Sequence, residues 1–128
     1  MVKKREAFRP FAPACAVEDA HRWFEVAPGT DLPYMITVVD VRQEVRSSLP
    51  AVTHVNGSAR LQTVSPRDNP DFHKLLLAVG EATGRPIVLN TSFNIKGQPI
   101  VNTPEQAIET FLGTGIEFLF LENFLVTR

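Results

Sequence analysis

The sequence predicts an α/β fold in which helices pack on a mixed β-sheet. Residues 34–41 (YMITVVDV) are rich in β-branched side chains, as is typical of a strand. Residues 69–84 place apolar side chains at helical spacing between a start signal and a stop signal. A second helix start signal, at residues 103–106, precedes the last apolar segments. Strand and helix patterns in this order favour a sheet covered by helices.

The composition indicates a globular protein, and we predict a single domain over residues 1–128. The charged start of the chain, without an ordinary N-terminal strand pattern, suggests a fragment of a longer protein. The net charge of −1 gives no indication of a nucleic-acid partner or a membrane surface. The single cysteine, Cys15, suits a reducing compartment, so we predict a cytoplasmic location. The histidines lack the spacing of metal ligands, and no metal site is predicted within this chain.

The first elements are an extended segment and a short helix. Pro10 and Pro13 remove ladder donors from residues 2–16, which predicts a strand near the edge of the sheet. Residues 17–24 predict a short helix, because Glu18 and Asp19 would lie in its first turn. Cys15, with no base beside it, is predicted to be a buried, inert thiol.

Residues 52–64 predict a β-hairpin around the turn Asn56-Gly57, since both central positions of such a turn need positive φ. In this hairpin Thr53 would pair with Arg60, and His54 with Ala59. Arg60 would then project from the middle of a two-stranded ribbon.

The next helix begins with Asn69 as N-cap and Pro70 at the first helical position, and Gly84 ends it. His73 falls outside its apolar stripe and is predicted to face solvent. The predicted stripe contains four residues: Phe72, Leu75, Leu76 and Val79. Further on, Thr103 and Gln106 form a capping box, and two strands at 118–121 and 124–126 are joined by a turn at 122–123.

Between these helices, the run 87–89 (IVL) predicts a strand buried on both faces, which ends at a cluster of small polar residues. In open α/β sheets ligands bind beyond the carboxyl ends of the strands, so Asn90, Ser92 and Asn94 are candidate ligand groups. The alternative is a capped loop that satisfies its own backbone, and spacing alone leaves both interpretations open.

The cations of the chain favour an anionic ligand, because Arg offers a rigid fork to phosphate and Lys a mobile point charge. Each of them alone is more often an ordinary surface residue, and only convergence in space would make a site. The candidates are Lys3, Lys4, Arg5, Arg9, Arg60 and Lys96.

Several long motifs closely resemble the C-terminal domain of O-carbamoyltransferases of the nodulation and antibiotic-biosynthesis type, the NodU/CmcH family. The motifs occur in the family's order over nearly the whole chain. They are residues 3–13 (KKREAFRPFAP), 50–64 (PAVTHVNGSARLQTV), 89–94 (LNTSFN) and 97–107 (GQPIVNTPEQA).

The resemblance implies a YrdC-like fold with a concave basic surface that binds carbamoyl phosphate and ATP with Mg²⁺ and forms a carbamoyl-adenylate. A separate N-terminal domain would transfer the carbamoyl group to an acceptor hydroxyl and would hold any iron or other transition metal. The implied catalytic residues are Lys3, Arg9 and Arg60, and the implied substrate- and nucleotide-binding residues are Asn90, Ser92, Asn94, Lys4 and Arg5.

Two other hypotheses remain at this point. The chain could be a non-catalytic YrdC-like module that binds an anion, a nucleotide or RNA, although nucleic-acid affinity depends on phosphate neutralisation and the net charge is −1. It could also be a docking domain for its own N-terminal domain, or form a homodimer. No membrane partner is expected.

Overall fold

The computed structural model describes residues 10–128, which fall into two compact units, one ending at Thr91 and one formed by Ser92–Arg128. The single-domain prediction stays a prediction. The first unit contains β1 (Ala12–Ala16), α1 (Ala20–Trp23), β2 (Thr37–Asp40), a 3₁₀ helix (Gln43–Ser48), β3 (Ser58–Val64), α2 (Pro70–Thr83) and β4 (Ile87–Asn90). The second contains α3 (Pro104–Leu112), β5 (Phe118–Leu121) and β6 (Phe124–Thr127).

The first unit is built on a four-stranded sheet in the order β2-β3-β1-β4. β1 runs parallel to β3 and antiparallel to β4, and β2 runs antiparallel to β3. The predicted mixed sheet with packed helices is therefore confirmed. The YrdC-like classification and the concave basic surface stay predictions. No helix in the described part of the chain is long and apolar enough to span a membrane.

The positions of β1 and β4 in the sheet are the reverse of those we predicted. β1 is an interior strand rather than an edge strand, although it contains Pro13. Its ladder with β3 begins at Ala14, so the proline lies just before the first β3 pair. β4 is an edge strand rather than one buried on both faces, and Leu89 is 48% exposed.

Each face of this sheet packs against a core of its own. One core contains Cys15, Ala20, Phe24, Val41, Leu49, Val52, Ala59 and Leu61. The other contains Ala14, Ala16, Val64 and Leu76, with Phe72 and Val88 packed against it. Leu76 and Phe72 belong to α2, so we call the second side of the sheet the α2 face.

The predicted hairpin at 52–64 is wrong. Only its second arm is a strand, and this strand pairs with β2, where Val38 lies opposite Arg60. Gly57 has a φ of +85°, whereas Asn56 does not adopt positive φ, so the two-residue turn does not form. The Thr53 hydroxyl instead donates to the Leu49 carbonyl at 2.8 Å, within a turn that follows the 3₁₀ helix.

α2 has the predicted ends: the Asn69 side chain accepts from the Phe72 amide at 3.1 Å, and Gly84 is left-handed at φ +74°. Its buried side is rotated relative to the prediction. Leu75 is 53% exposed, and His73 is buried rather than facing solvent. The cause is a partner distant in sequence.

That partner is Glu18, which follows β1. Its carboxylate lies 2.9 and 3.1 Å from Nε2 of His73. A buried imidazole is tolerated when it is hydrogen-bonded, so this contact allows His73 to lie on the buried side of α2.

The second unit contains the helix start and the strand pair that its local sequence predicts. The Thr103 hydroxyl accepts from the Gln106 amide at 3.3 Å, and the Gln106 side chain accepts from the amide of Asn102, one residue before the cap. β5 and β6 pair antiparallel across the predicted turn, in which Glu122 has a φ of 52°.

Cys15 is fully buried, as predicted, and its burial raises the pKa of the thiol to about 12, with the Asp19 and Glu18 carboxylates contributing. We expect no reaction of the folded chain with iodoacetamide at pH 8 and rapid reaction in denaturant, because the thiolate is the nucleophile. Mass spectrometry of labelled protein measures both rates. Equal rates in the two conditions would contradict this pKa.

The same shift gives a stability dependence on pH. The folded pKa lies above the ordinary value of 9.0, so the unfolded chain loses this proton first as pH rises. The contribution of Cys15 to stability is therefore complete below pH 9 and declines as pH rises toward 12.

Candidate functional site

Two of the predicted site residues, Arg60 and Asn90, lie on the α2 face of the sheet. Asn90 pairs with Ala12, and Gln62 pairs with Ala14, two residues further along the same strand. Side chains two residues apart in a strand share a face, and so do directly paired ones. Arg60 precedes Gln62 by two residues and therefore shares this face. Arg60 and Asn90 thus flank β1, two strand spacings or about 10 Å apart at the backbone.

The part of the α2 face around Arg60 is not covered by α2. The helix packs in a core with Ala14, Ala16 and Val64, toward the other end of the strands. The Arg60 side chain is exposed, and it forms no hydrogen bond or ion pair with any of residues 10–128. Since no described residue occupies the guanidinium, it is available to a ligand.

Asn90 is held by a short network of amides. Its Nδ2 donates to Oε1 of Gln62 at 2.6 Å, and Nε2 of Gln62 donates to the Pro33 carbonyl at 3.0 Å. Gln62 thereby connects the end of β4 to the loop before β2. Both amides are half-buried, so their orientations are set by these bonds and not by bulk water.

A cavity of about 530 Å³ opens next to this network, within the usual size range of small-molecule sites. It shares Gln62 with the amide network. Its wall consists of Pro33, Tyr34, Gln62, Thr63, Val64, Arg67, Asp68, Asn69 and Phe72.

The cation in the wall of this cavity is already engaged. The Arg67 guanidinium contacts Asp31 at 3.0 Å and Asp68 at 3.0 and 3.3 Å. Its hydrogen bond to Asp68, together with one from Ser65, lowers the pKa of that carboxyl group. Arg67 is therefore neutralised by its neighbours, in contrast to Arg60.

The other predicted site residues lie either in the second unit or outside the described residues. Ser92 and Asn94 belong to the second unit, where the Ser92 hydroxyl donates to Oδ1 of Asn94 at 2.8 Å. Nδ2 of Asn94 donates in turn to the Gln98 carbonyl at 2.9 Å, as in the capped-loop alternative. The remaining four, Lys3, Lys4, Arg5 and Arg9, lie outside the described residues.

Sequence reasoning missed Gln62. The signal was present, because Gln62 lies two residues after Arg60 and so on the same face of any strand. Its contact with Asn90 depends on the register of β3, β1 and β4, which the sequence does not show. Among residues 10–128 no group of three or more His, Cys, Asp or Glu side chains is placed to hold a metal ion.

Fold and geometry together define a mixed α/β chain with an exposed guanidinium and an oriented amide pair on one face of the sheet. The chain belongs to the family described as carbamoyltransferase C-terminus, whose model matches residues 1–128.

Relatives that are named for an activity or a role support this membership. The nodulation protein NolO of Bradyrhizobium diazoefficiens is 48% identical over 100% of this chain and 24% of its own length. The 3'-hydroxymethylcephem-O-carbamoyltransferase of Amycolatopsis lactamdurans is 44% identical over 79% of this chain and 19% of its own. Nodulation protein U of Rhizobium tropici is 43% identical over 76% and 16%. The chain thus matches a quarter or less of the length of these relatives.

Proposed function

We propose that this chain is the part of an O-carbamoyltransferase that binds carbamoyl phosphate and ATP–Mg²⁺ and forms a carbamoyl-adenylate. The observation that carries the proposal is the match of the carbamoyltransferase C-terminus family to all 128 residues. Transfer to an acceptor hydroxyl is assigned to the remaining part of a longer protein, as is any iron or other transition metal. The proposed setting is the cytoplasm.

The open end of the α2 face supports this function. Arg60 offers a cationic fork that has no partner among residues 10–128, and such a fork suits a phosphate group. The adjoining cavity of about 530 Å³ is large enough for a small phosphorylated ligand. Lys3 and Arg9 are proposed as further phosphate contacts, and Lys4, Arg5, Ser92 and Asn94 are proposed as further ligand-binding residues.

The reaction that we assign to the site needs charge stabilisation more than a protein nucleophile. Carbamoyl phosphate loses its phosphate to water and gives carbamate. A carbamate oxygen then bonds to the α-phosphorus of ATP while the bond to the bridging oxygen breaks, and pyrophosphate leaves with the electron pair. Negative charge grows on the phosphoryl oxygens, where a guanidinium lowers its energy.

The donor set fits a magnesium ion that is carried by the nucleotide. Mg²⁺ commonly binds through substrate phosphates with only one or two protein carboxylates, so a dedicated carboxylate cluster is not needed. It would neutralise part of the phosphate charge, while Arg60 holds the remainder.

Titration calorimetry tests this function directly. We expect binding of carbamoyl phosphate and of ATP–Mg²⁺ to the folded chain, and release of pyrophosphate when both are present. Ser92→Ala should weaken the binding of at least one of the two. Binding of neither ligand by a folded chain would overturn the proposal, and salt-sensitive binding of generic RNA in its place would favour the non-catalytic module.

A further inference from the structure

We propose that Asn90 recognises an N–H group of the ligand through its Oδ1 atom, and that Gln62 is the positioning residue that turns this oxygen outward. The N–H group would belong either to the amino group of a carbamoyl moiety or to the 6-amino group of adenine. This inference rests on the proposed function and makes it more specific, because it assigns a recognition role to an amide.

The orientation of the Gln62 amide follows from its neighbour in the loop before β2. The Pro33 carbonyl lies 3.0 Å from the Gln62 amide group and, as a backbone oxygen, it can only accept a hydrogen bond. The nitrogen of Gln62 must therefore face Pro33. The oxygen, Oε1, is consequently turned toward Asn90.

The orientation of Asn90 follows in the same way. Oε1 of Gln62 can only accept, and it lies 2.6 Å from the Asn90 amide group. Reversal of Asn90 would place two amide oxygens at that distance, which is repulsive. Nδ2 of Asn90 is therefore bound to Gln62, and Oδ1 is left without a hydrogen-bond partner among residues 10–128.

An outward amide oxygen selects a particular chemistry. It accepts a hydrogen bond from a ligand N–H, whereas it would repel a phosphate oxygen. Arg60 and Asn90 therefore have different roles. Arg60, on the far side of β1, attracts the phosphate, and Asn90 accepts from the amino end of the ligand.

Two pairs of matched ligands test this role. Acetyl phosphate replaces the amino group of carbamoyl phosphate by a methyl group, and inosine triphosphate replaces the 6-amino group of ATP by a carbonyl. We expect wild type to bind the amino-bearing member of one pair about tenfold more tightly, the size of one net hydrogen bond. The pair that shows the preference identifies the source of the N–H.

Variants then separate recognition from general damage. Asn90→Ala should abolish the preference and leave affinity for the other ligand of the pair nearly unchanged. Gln62→Met keeps the side-chain length but frees Asn90 to rotate, so the preference should fall while Asn90 is still present. Gln43→Met, at an exposed glutamine of the 3₁₀ helix, is the matched control and should retain the preference.

A readout without ligand keeps the test independent of binding. The side-chain amide resonances of Asn90 should shift in Gln62→Met and not in Gln43→Met. Binding without a preference in either pair, or a preference that survives Asn90→Ala, would overturn this inference alone. Unchanged Asn90 resonances in Gln62→Met would also overturn it. Binding of none of the four ligands would overturn the proposed function and this inference with it.

Discussion

Replacement of Arg60 by alanine is expected to weaken the binding of carbamoyl phosphate by about ten- to hundredfold, the range for hydrogen bonds to a charged group. The Arg60 side chain is exposed on the α2 face and has no hydrogen bond or ion pair with the rest of the described chain. Its loss should therefore leave the fold intact and remove only a ligand contact. Titration calorimetry measures the dissociation constant, and thermal unfolding checks the fold.

Two further variants show whether position or mere charge is responsible. Arg60→Lys keeps the charge but loses the bidentate fork, so its affinity should lie between wild type and Arg60→Ala. Arg22→Ala removes the same charge from α1, whose buried residue Ala20 belongs to the core on the opposite face. Equal weakening by Arg22→Ala and Arg60→Ala would show that Arg60 acts only through net charge and would contradict a direct contact.

The features that could be predicted from the sequence are those decided within a few residues. The side chains of Asn69 and Thr103 each accept from an amide three residues ahead, and both helix starts are confirmed. The turn at Glu122 joins strands that are neighbours in sequence, and it is also confirmed. In these cases the partner of each polar group lies within a few residues of it in the sequence.

The errors arise where the partner is distant in sequence. The sequence predicts a local hairpin for β3, but the backbone groups of Arg60 and its neighbours pair with β2 and β1 instead. The local pattern predicts that His73 faces solvent, because its partner, Glu18, lies 55 residues away and is not part of that pattern. A local pattern carries no information about such pairs, since their energy depends on the register of the whole sheet.

The residues of the candidate site differ in the same way: some could be predicted from local motifs, and others depend on partners distant in sequence. Arg60 and Asn90 could be named from motifs, and the register then places them on one face of the sheet. Gln62 could be placed on the face of Arg60, but its role could not be predicted, because it depends on the position of a backbone carbonyl at Pro33. The contributions of Lys3, Arg9 and the other N-terminal cations stay predictions.

The largest expected effect on stability is that of Leu76→Ala, which should lower the free energy of unfolding by about 2–5 kcal/mol, the range for deletion of a buried leucine side chain. Leu76 is fully buried and packs in the core with Ala14, Ala16 and Val64. The alanines of β1 are too small to fill the space that the leucine would leave, so a cavity would persist. Urea unfolding followed by circular dichroism measures the change.

Leu75→Ala is the matched control, since it removes the same atoms from the adjacent position of α2. Leu75 is 53% exposed, and the change should cost less than about 1 kcal/mol. The periodicity of the sequence places both leucines on one apolar stripe and predicts comparable losses. A large difference therefore supports the rotated helix with His73 inside, and equal losses would contradict it. Leu76 packs with Ala14, Ala16 and Val64 and not with Arg60 or Asn90, so Leu76→Ala tests the support of the sheet and removes neither of the two proposed ligand contacts.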